Sequence, residues 1–222
     1  MKHCVPTGLP ARLMSGLLGL LLIPLAQAEL FSADGYRLGQ YRSPTPASAE
    51  PARTLDTAAL QRLLAEQPRT ALIDTYRRPW RNGQFIEDEV HANLPGSLWL
   101  ANTGDGRLDE RWQAYFSHHL REISHGDPGW PLVFYCRSDC WLSWNAVKRA
   151  HRLGYGNLYW YRDGIDAWEQ AGLPAAGAAG GAALRPRAFP APSPQHNQNN
   201  EVKGHVQDPD CRRPPAVSRS HP

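Results

Sequence analysis

The sequence lacks two features that would place it at once in a common functional class. Its net charge is only +3, and its lysines and arginines are scattered along the chain. A protein that binds nucleic acid through the phosphate backbone needs a concentrated basic surface, so nothing in the composition supports such a partner. There is also no Cys-x-x-Cys-His motif, which excludes covalent haem attachment of the c type.

Long apolar runs are scarce as well, apart from one between Leu13 and Leu25. That run is too short for a comfortable transmembrane span. It follows a basic segment and precedes Ala26-Gln27-Ala28, which fits the small-x-small rule for signal cleavage. We therefore predict a signal peptide over residues 1–28, export to the periplasm, and no membrane attachment after cleavage.

Cysteine is rare, with four in the chain, and Cys4 lies inside the predicted signal peptide. Cleavage would leave Cys136, Cys140 and Cys211, an odd number. Disulfides persist in an oxidising compartment, and Cys136 with Cys140 is the natural pair. Cys211 lies in a Pro-rich, charged stretch, where an exposed thiol could cross-link two chains.

The composition divides the rest of the chain into three parts. Residues 29–54 have few periodic apolar positions and are predicted to form an extended N-terminal arm. Residues 55–174 are long enough to bury one core and are interpreted as a single domain. Residues 175–222 are rich in Ala, Gly, Pro, Asn and Gln, with too little apolar surface to offset ordering entropy, and are predicted to be a disordered tail.

Strand and helix patterns alternate within the predicted domain. Apolar runs predict strands, helical spacing predicts helices, and the Arg-rich segment 77–83 is predicted to be a loop. The strands are expected at 70–74, 131–135 and 157–161, with a short apolar segment at 98–100, and the helices at 57–67, 109–122, 142–153 and 165–170. This order predicts an α/β fold with a parallel sheet flanked by helices on both faces.

Five motifs in this region resemble those of a rhodanese-like domain in order and spacing. They are Leu72-Ile73-Asp74, His91 through Pro95-Gly96-Ser97, Val133-Phe134-Tyr135-Cys136-Arg137, Gly154-Tyr155-Gly156-Asn157-Leu158-Tyr159, and Asp163-Gly164-Ile165-Asp166-Ala167-Trp168 through Pro174. The resemblance implies a rhodanese-like parallel sheet and a cysteine that carries sulfane sulfur as a persulfide. It also implies a small sulfur donor and no cofactor.

A narrower resemblance involves Cys140-Trp141, which follows Cys136, and the upstream Tyr36-Arg37 and Tyr41-Arg42-Ser43-Pro44. Together they are similar to the PQQ-dependent catabolism-associated CXXCW-motif proteins, although here three residues separate the cysteines. That family implies an accessory role beside quinoprotein alcohol oxidation, with a periplasmic protein of such a system as partner.

The broader resemblance places the nucleophile at Cys136, at the start of a loop that ends in Trp141. Loop amides and the next helix N-terminus are expected to point at the sulfur and to lower the pKa of the thiol. Cys140 could then act as a resolving thiol or close a disulfide. The competing interpretation is a buried structural thiol.

Neighbouring residues would shape the environment of this sulfur. Arg137 and Ser138 suit an anionic donor, whereas the charge of Asp139 opposes one. Trp141 could cover the sulfur, form a recognition surface or simply pack. Asp74 ends a strand at the same sheet edge and could orient the loop, but a structural carboxylate that accepts backbone N–H bonds is the interpretation that we favour.

Three functions are left open by the residues. The first is sulfurtransferase or thiol-disulfide chemistry at Cys136, and the second is a non-catalytic periplasmic binding module. The third is Cu(I) binding by the two cysteines with a histidine. His91 resembles a structural histidine of the fold, and His118-His119 is expected on a solvated helix face, so we assign no metal ligands.

Overall fold

The structure is a computed structural model that describes residues 29–86 and 91–176. The predicted signal peptide with Cys4 and the segment with Cys211 lie outside the described residues. Within the two described ranges, no helix is both long enough and apolar enough to cross a lipid bilayer.

Seven strands and four helices make up the described part of the chain. In chain order they are β1 (Arg53–Leu55), α1 (Thr57–Glu66), β2 (Ala71–Asp74), β3 (Trp80–Arg81), β4 (Gln84–Phe85), β5 (Leu98–Trp99), α2 (Glu110–Ile123), β6 (Leu132–Tyr135), α3 (Trp141–Arg152), β7 (Leu158–Tyr161) and α4 (Gly164–Gln170).

Five of the strands form one parallel sheet in the order β1-β7-β6-β2-β5, with β6 at its centre. All four residues of β6 are buried, as expected for a strand covered on both faces. Leu132 and Phe134 pack in a core cluster with residues of α2 and α3. Val133 and Tyr135 pack in a second cluster with residues of α1 and α4. The predicted α/β fold is therefore confirmed.

Local sequence explains where two of the helices begin. The Asp56 carboxylate accepts a hydrogen bond from the Ala59 amide at 2.7 Å, and that of Asp109 accepts one from Trp112 at 2.9 Å. Such N-caps satisfy amides that have no partner in the first helical turn. Asp56 is thus the N-cap of α1.

Four expectations need correction. The arm was expected to reach residue 54, but Arg53–Leu55 pairs with β7 as the edge strand of the sheet. Residues 77–83 were expected to be a loop, but Trp80–Arg81 pairs with β4 as a hairpin whose aromatic rings pack together.

Ala176, expected in the disordered tail, exchanges two backbone hydrogen bonds with Asn93. His119, expected on a solvated face, is only 5% exposed.

The N-terminal arm lies across the carboxyl edge of the sheet and is held by buried polar contacts. The Asn145 side chain on α3 accepts a hydrogen bond from the Arg37 amide and donates one to the Arg37 carbonyl, both at 2.9 Å. The Gly106 amide donates to the Tyr41 hydroxyl at 3.0 Å. The arm is thereby positioned over the loop that follows β6.

Candidate active site

The two cysteines of the loop lie where the central strand ends. Cys136 directly follows β6, and Cys140 is the N-cap of α3. Their sulfur atoms form a disulfide, with 6.2 Å between the two Cα atoms. This is the pair that the sequence indicated. The carboxyl edge of a parallel sheet is where α/β proteins place their sites.

Both cysteine side chains are fully buried. The surrounding cluster is largely apolar and includes residues of the arm, of the segment after β2, and of α3. Its other buried members are Tyr41, Tyr76, Trp99, Ala101, Trp141 and Leu142. A sulfur donor can therefore reach the sulfur atoms only when part of this cover moves.

The loop is held from outside by a carboxylate on α4. Asp166 Oδ1 accepts hydrogen bonds from Nε and the terminal nitrogen of Arg137 at 3.1 and 2.9 Å, and Oδ2 accepts one from the Ser138 amide at 3.0 Å. Burial alone lowers the pKa of Arg137, but the hydrogen bonds and charge of Asp166 outweigh it, so the pKa is raised. Arg137 thus stays charged.

The start of α4 also contacts the backbone of the nucleophile candidate. The Ile165 amide donates to the Cys136 carbonyl at 3.0 Å. Gly164 has φ +57°, and a Cβ there would overlap that same carbonyl. Only glycine adopts this positive φ without strain and also leaves room for the Cys136 carbonyl, so any other residue at position 164 would displace the loop.

The arm pairs with the loop in a short antiparallel bridge between Arg42 and Cys140. The Trp141 amide donates to the Tyr41 carbonyl at 2.9 Å, and the Ser43 amide donates to the Asp139 carbonyl at 3.1 Å. The Arg42 guanidinium also donates to the Ser138 carbonyl. These contacts fasten the arm to the part of the loop from Ser138 to Trp141.

Asp139 joins the arm to the loop through its side chain as well. Its Oδ1 accepts hydrogen bonds from the Thr45 amide at 3.2 Å and hydroxyl at 3.4 Å, and lies 3.9 Å from the Arg162 guanidinium. Its backbone has φ +48°, a left-handed conformation that aspartate tolerates better than most residues. The charge expected to repel an anionic donor is thus offset by Arg162.

Two of the backbone amides that were expected to point at the Cys136 sulfur form hydrogen bonds with other acceptors. The Ser138 amide is bonded to Asp166, and the Trp141 amide is bonded to Tyr41. The prediction that these groups point at the Cys136 sulfur is wrong in this oxidised form. Arg137, expected to face a donor, is likewise held by Asp166.

Trp141 packs in the same buried cluster as the two cysteines and is itself fixed by the arm. Its indole N–H donates to the Ser43 hydroxyl at 3.0 Å. The Arg37 guanidinium lies 4.9 Å from its ring, and Phe31 meets the ring edge to face at 5.5 Å. Trp141, the first residue of α3, therefore contacts the arm through a hydrogen bond, a cation–π contact and an aromatic pair.

Asp74, at the end of β2, forms the buried hydrogen bonds of a structural carboxylate. Its Oδ1 accepts a hydrogen bond from the Tyr76 backbone amide at 2.8 Å. Its Oδ2 bonds to His91 Nε2 at 2.7 Å and accepts a hydrogen bond from the side-chain Nδ2 of Asn93 at 2.8 Å. His91 stacks on Tyr76 with ring centroids 4.3 Å apart. Asp74 thus supports Tyr76, which packs with the cysteines.

Sequence reasoning missed the residues that hold the loop, chiefly Asp166, Thr45 and Tyr76. Asp166 belongs to the motif at residues 163–168. However, its contact with Arg137 spans 29 positions and follows no local periodicity. Tyr41-Arg42-Ser43 was noticed as a motif of the arm, which was the available signal for its contact with the loop.

The fold and the site together define a class of protein. A central parallel strand that ends in a cysteine, followed by a loop and a helix that carries a second cysteine, is the architecture of a thiol-bearing rhodanese-like domain. The match to the rhodanese-like domain family covers residues 56–171, so the chain belongs to that family.

Among solved structures, the chain is similar to a polysulfide-sulfur transferase homodimer from Wolinella succinogenes, with 20% identity over 56% of this chain and 78% of that chain, and a TM-score of 0.39. It is similar to a thiosulfate sulfurtransferase from Pseudomonas aeruginosa, with 14% identity over 56% of this chain and 20% of that chain, and a TM-score of 0.40. It also resembles a 3-mercaptopyruvate sulfotransferase from Escherichia coli, with 16% identity over 56% of this chain and 51% of that chain, and a TM-score of 0.40. No curated protein matches the sequence.

Proposed function

We propose that the protein performs persulfide or thiol-disulfide chemistry, with Cys136 as the sulfur carrier and Cys140 as the resolving thiol. The observation that carries the proposal is the disulfide between them, inside the loop at the end of the central strand. A second thiol four positions from the first gives the protein its own route to discharge a bound sulfur.

The chemistry begins from the reduced dithiol, which an external dithiol generates from the disulfide. The Cys136 thiolate attacks the outer sulfur of a persulfide donor, the donor S–S bond breaks, and the donor leaves as a thiol with one proton. The Cys140 thiolate then attacks the Cys136 sulfur, and the outer sulfur leaves as hydrosulfide. One dithiol and one donor persulfide therefore yield one disulfide, one thiol and one hydrogen sulfide.

Access to Cys136 depends on displacement of the arm. The sulfur atoms are enclosed, and Tyr41 and Ser43 bond to the loop that contains them. The arm meets the loop through backbone and side-chain hydrogen bonds, which can open locally while the sheet stays intact. Local release of the arm is therefore the step that admits a donor or a partner thiol.

A non-catalytic binding module is the second candidate, and the complete burial of both sulfur atoms favours it. In that case the disulfide stabilises the loop, and the arm and loop surface contacts a partner protein. Capture of such a partner by wild-type protein and equally by Cys136→Ala would support this alternative.

Cu(I) binding, the third candidate, receives less support. Within the described ranges, the group of at least three metal-capable side chains comprises His118, His119 and Glu122 on α2, without either cysteine. His91, another candidate ligand, bonds to Asp74 through Nε2. Anaerobic Cu(I) titration of the reduced protein tests this candidate, which requires about one ion per chain and loss of binding in Cys140→Ser.

We further propose that the protein is exported to the periplasm and is accessory to quinoprotein-dependent alcohol catabolism, with a protein of that system as partner. Support comes from the predicted signal peptide over residues 1–28 and from the resemblance of Cys140-Trp141 and Tyr41-Arg42-Ser43-Pro44 to the PQQ-associated family. Cell fractionation tests the location, and growth of a deletion strain on alcohols tests the pathway.

The chemical proposal is tested by mass spectrometry. The protein is reduced anaerobically, exposed to glutathione persulfide and alkylated, and its peptides are mapped. Cys140→Ser should retain an extra sulfur on Cys136, whereas wild-type protein should contain the Cys136–Cys140 disulfide. Cys136→Ser should show no extra sulfur in the loop. If no variant ever carries sulfur on Cys136, sulfur transfer is excluded.

A further inference from the structure

A cavity remote from the cysteines lies between the arm, α2 and the C-terminal end of α3. Its volume is about 530 Å³, within the range typical of small-molecule sites. Nine residues of helix separate Cys140 from Arg149 in its wall, a rise of about 14 Å. Its lining includes Tyr36, Arg107, Leu108, Phe116, Arg149 and Arg152.

The cavity wall carries an excess of positive charge. Three arginines line it, namely Arg107, Arg149 and Arg152, against a single carboxylate, that of Asp34. In the portion of the chain that the structure describes, none of the three arginines has a carboxylate oxygen within 4.0 Å. The three guanidinium groups therefore have no ion-pair partner within that distance among the described residues, and Arg152 donates to the Asp34 carbonyl at 2.8 Å.

Arg149 is the most informative of the three, because it is buried and 8% exposed. Its guanidinium donates to two neutral acceptors, the carbonyls of Thr103 and Asp105, the second at 2.7 Å. Burial lowers the pKa of Arg149. A buried cation whose hydrogen bonds go to neutral acceptors is costly, even with the charge of Asp105 nearby, and an anion in the adjoining cavity would offset that cost.

Tyr36 brings two of these cations together. The guanidinium carbons of Arg149 and Arg152 lie 4.6 and 4.7 Å from the centre of its ring. The rest of the wall includes apolar surface from Leu108 and Phe116. The cavity thus combines convergent guanidinium groups with an apolar floor, which suits a ligand that has both an apolar body and anionic groups.

Stabilisation of a helix end by basic residues explains only part of this arrangement. Cations in the last turn of a helix interact favourably with its dipole, and Arg149 and Arg152 lie in the last turn of α3. However, Arg107 precedes α2 and comes from a different part of the chain. Arg149 also bonds to carbonyls outside α3.

We propose that this cavity binds a small organic anion with an apolar body and two or more carboxylate or phosphate oxygens. The guanidinium groups of Arg107 and Arg152 contact the anionic groups, and Arg149 contributes charge from the buried wall. The site is independent of the chemistry proposed for Cys136.

Isothermal titration calorimetry of the full chain tests the proposal with three probes that share a benzene ring: benzene-1,3,5-tricarboxylate, phenyl phosphate and neutral benzyl alcohol. Binding of either anion and not of the alcohol is expected, and the stronger anion identifies the preferred group. Arg152→Gln and Arg107→Gln should each weaken binding about tenfold, since each removes a charge-assisted hydrogen bond. Arg121→Gln, an exposed arginine of α2 outside the cavity, should leave it unchanged.

Arg107 and Arg152 are exposed, so their variants are expected to fold even where Arg149→Gln does not. The proposal is overturned if neither anion binds at millimolar concentration, if benzyl alcohol binds equally, or if Arg121→Gln weakens binding as much as the other two. Cys136→Ser should bind as wild type does, which separates failure at this cavity from failure at the cysteines.

Discussion

Asp166 holds Arg137 through one carboxylate oxygen, with 2.9 and 3.1 Å to the two guanidinium nitrogens, and holds the Ser138 amide through the other. The residue after the candidate nucleophile is therefore fixed to α4, an element 29 positions further along the chain. The shape of the cysteine loop depends on this contact as much as on the loop's own sequence.

Replacement of Asp166 should loosen the loop. Asp166→Asn removes a charge-assisted pair that is largely shielded from solvent, and we expect the free energy of unfolding to fall by about 1–2 kcal/mol. Urea unfolding of the oxidised protein measures the change. Asp163→Asn is the matched control, because the Asp163 side chain forms no capping hydrogen bond to α4. Equal losses in the two variants would contradict a special role for Asp166.

Gly164 and Gly172 allow the contact with Cys136 to be separated from backbone conformation. Both have positive φ, so alanine strains the backbone at either position by about 1 kcal/mol. Only at Gly164 would the new Cβ also overlap the Cys136 carbonyl, whereas nothing lies within 4 Å of a Cβ at Gly172. Gly164→Ala should therefore lower the thermal midpoint clearly more than Gly172→Ala, and similar midpoints would show that α4 does not brace the loop.

Asn145 should control access to the disulfide through the arm. Asn145→Ala leaves the amide and carbonyl of Arg37 unpaired in a buried position, at a cost of about 2–3 kcal/mol. Reduction of the Cys136–Cys140 disulfide by a water-soluble phosphine should then be several times faster. Asn157→Ala, which removes an exposed asparagine contact, is the control. An unchanged rate in Asn145→Ala would mean that the arm does not limit access.

His119 should make stability depend on pH. Burial lowers its pKa below the ordinary value of 6.5, and the neighbouring His118 lowers it further, while Glu122 raises it. Below pH 6.5 the unfolded chain therefore takes up a proton that the folded protein resists, and stability falls until the folded-state pKa is passed. Urea titrations from pH 7.5 to 5 should show a shallower decline for His119→Gln than for wild type. His151→Gln, at an exposed histidine of α3, is the control. Equal slopes in all three proteins would show that His119 does not cause the decline.

The fold could be predicted largely from sequence because its central strands are short apolar runs that end in turn or site motifs. The apolar run 131–135, followed by Cys136, predicts both the strand and the loop. The edge strand Arg53–Leu55 could not be found in this way, since its burial pattern has one inward residue and depends on pairing with β7. The Trp80 hairpin was missed for a similar reason, because two-residue strands show no periodicity.

The cysteine pair was visible in the sequence, but the state of the loop was not. Its amides could be expected to surround an anionic sulfur only if no other acceptor competed for them. Asp166 and the Tyr41 carbonyl are such acceptors, and both come from distant positions in the chain. Long-range contacts of this kind follow from the packed structure and leave no spacing pattern in the sequence.

Sulfide release tests the central claim most directly. Fully reduced protein is mixed anaerobically with one equivalent of glutathione persulfide, and sulfide and free thiols are counted together. We predict that wild-type protein releases about one sulfide per chain as the Cys136–Cys140 disulfide forms, since each turnover of the dithiol discharges one sulfur. Cys140→Ser should instead retain the sulfur until an external thiol is added. Wild-type protein that releases no sulfide and keeps both thiols would contradict the account.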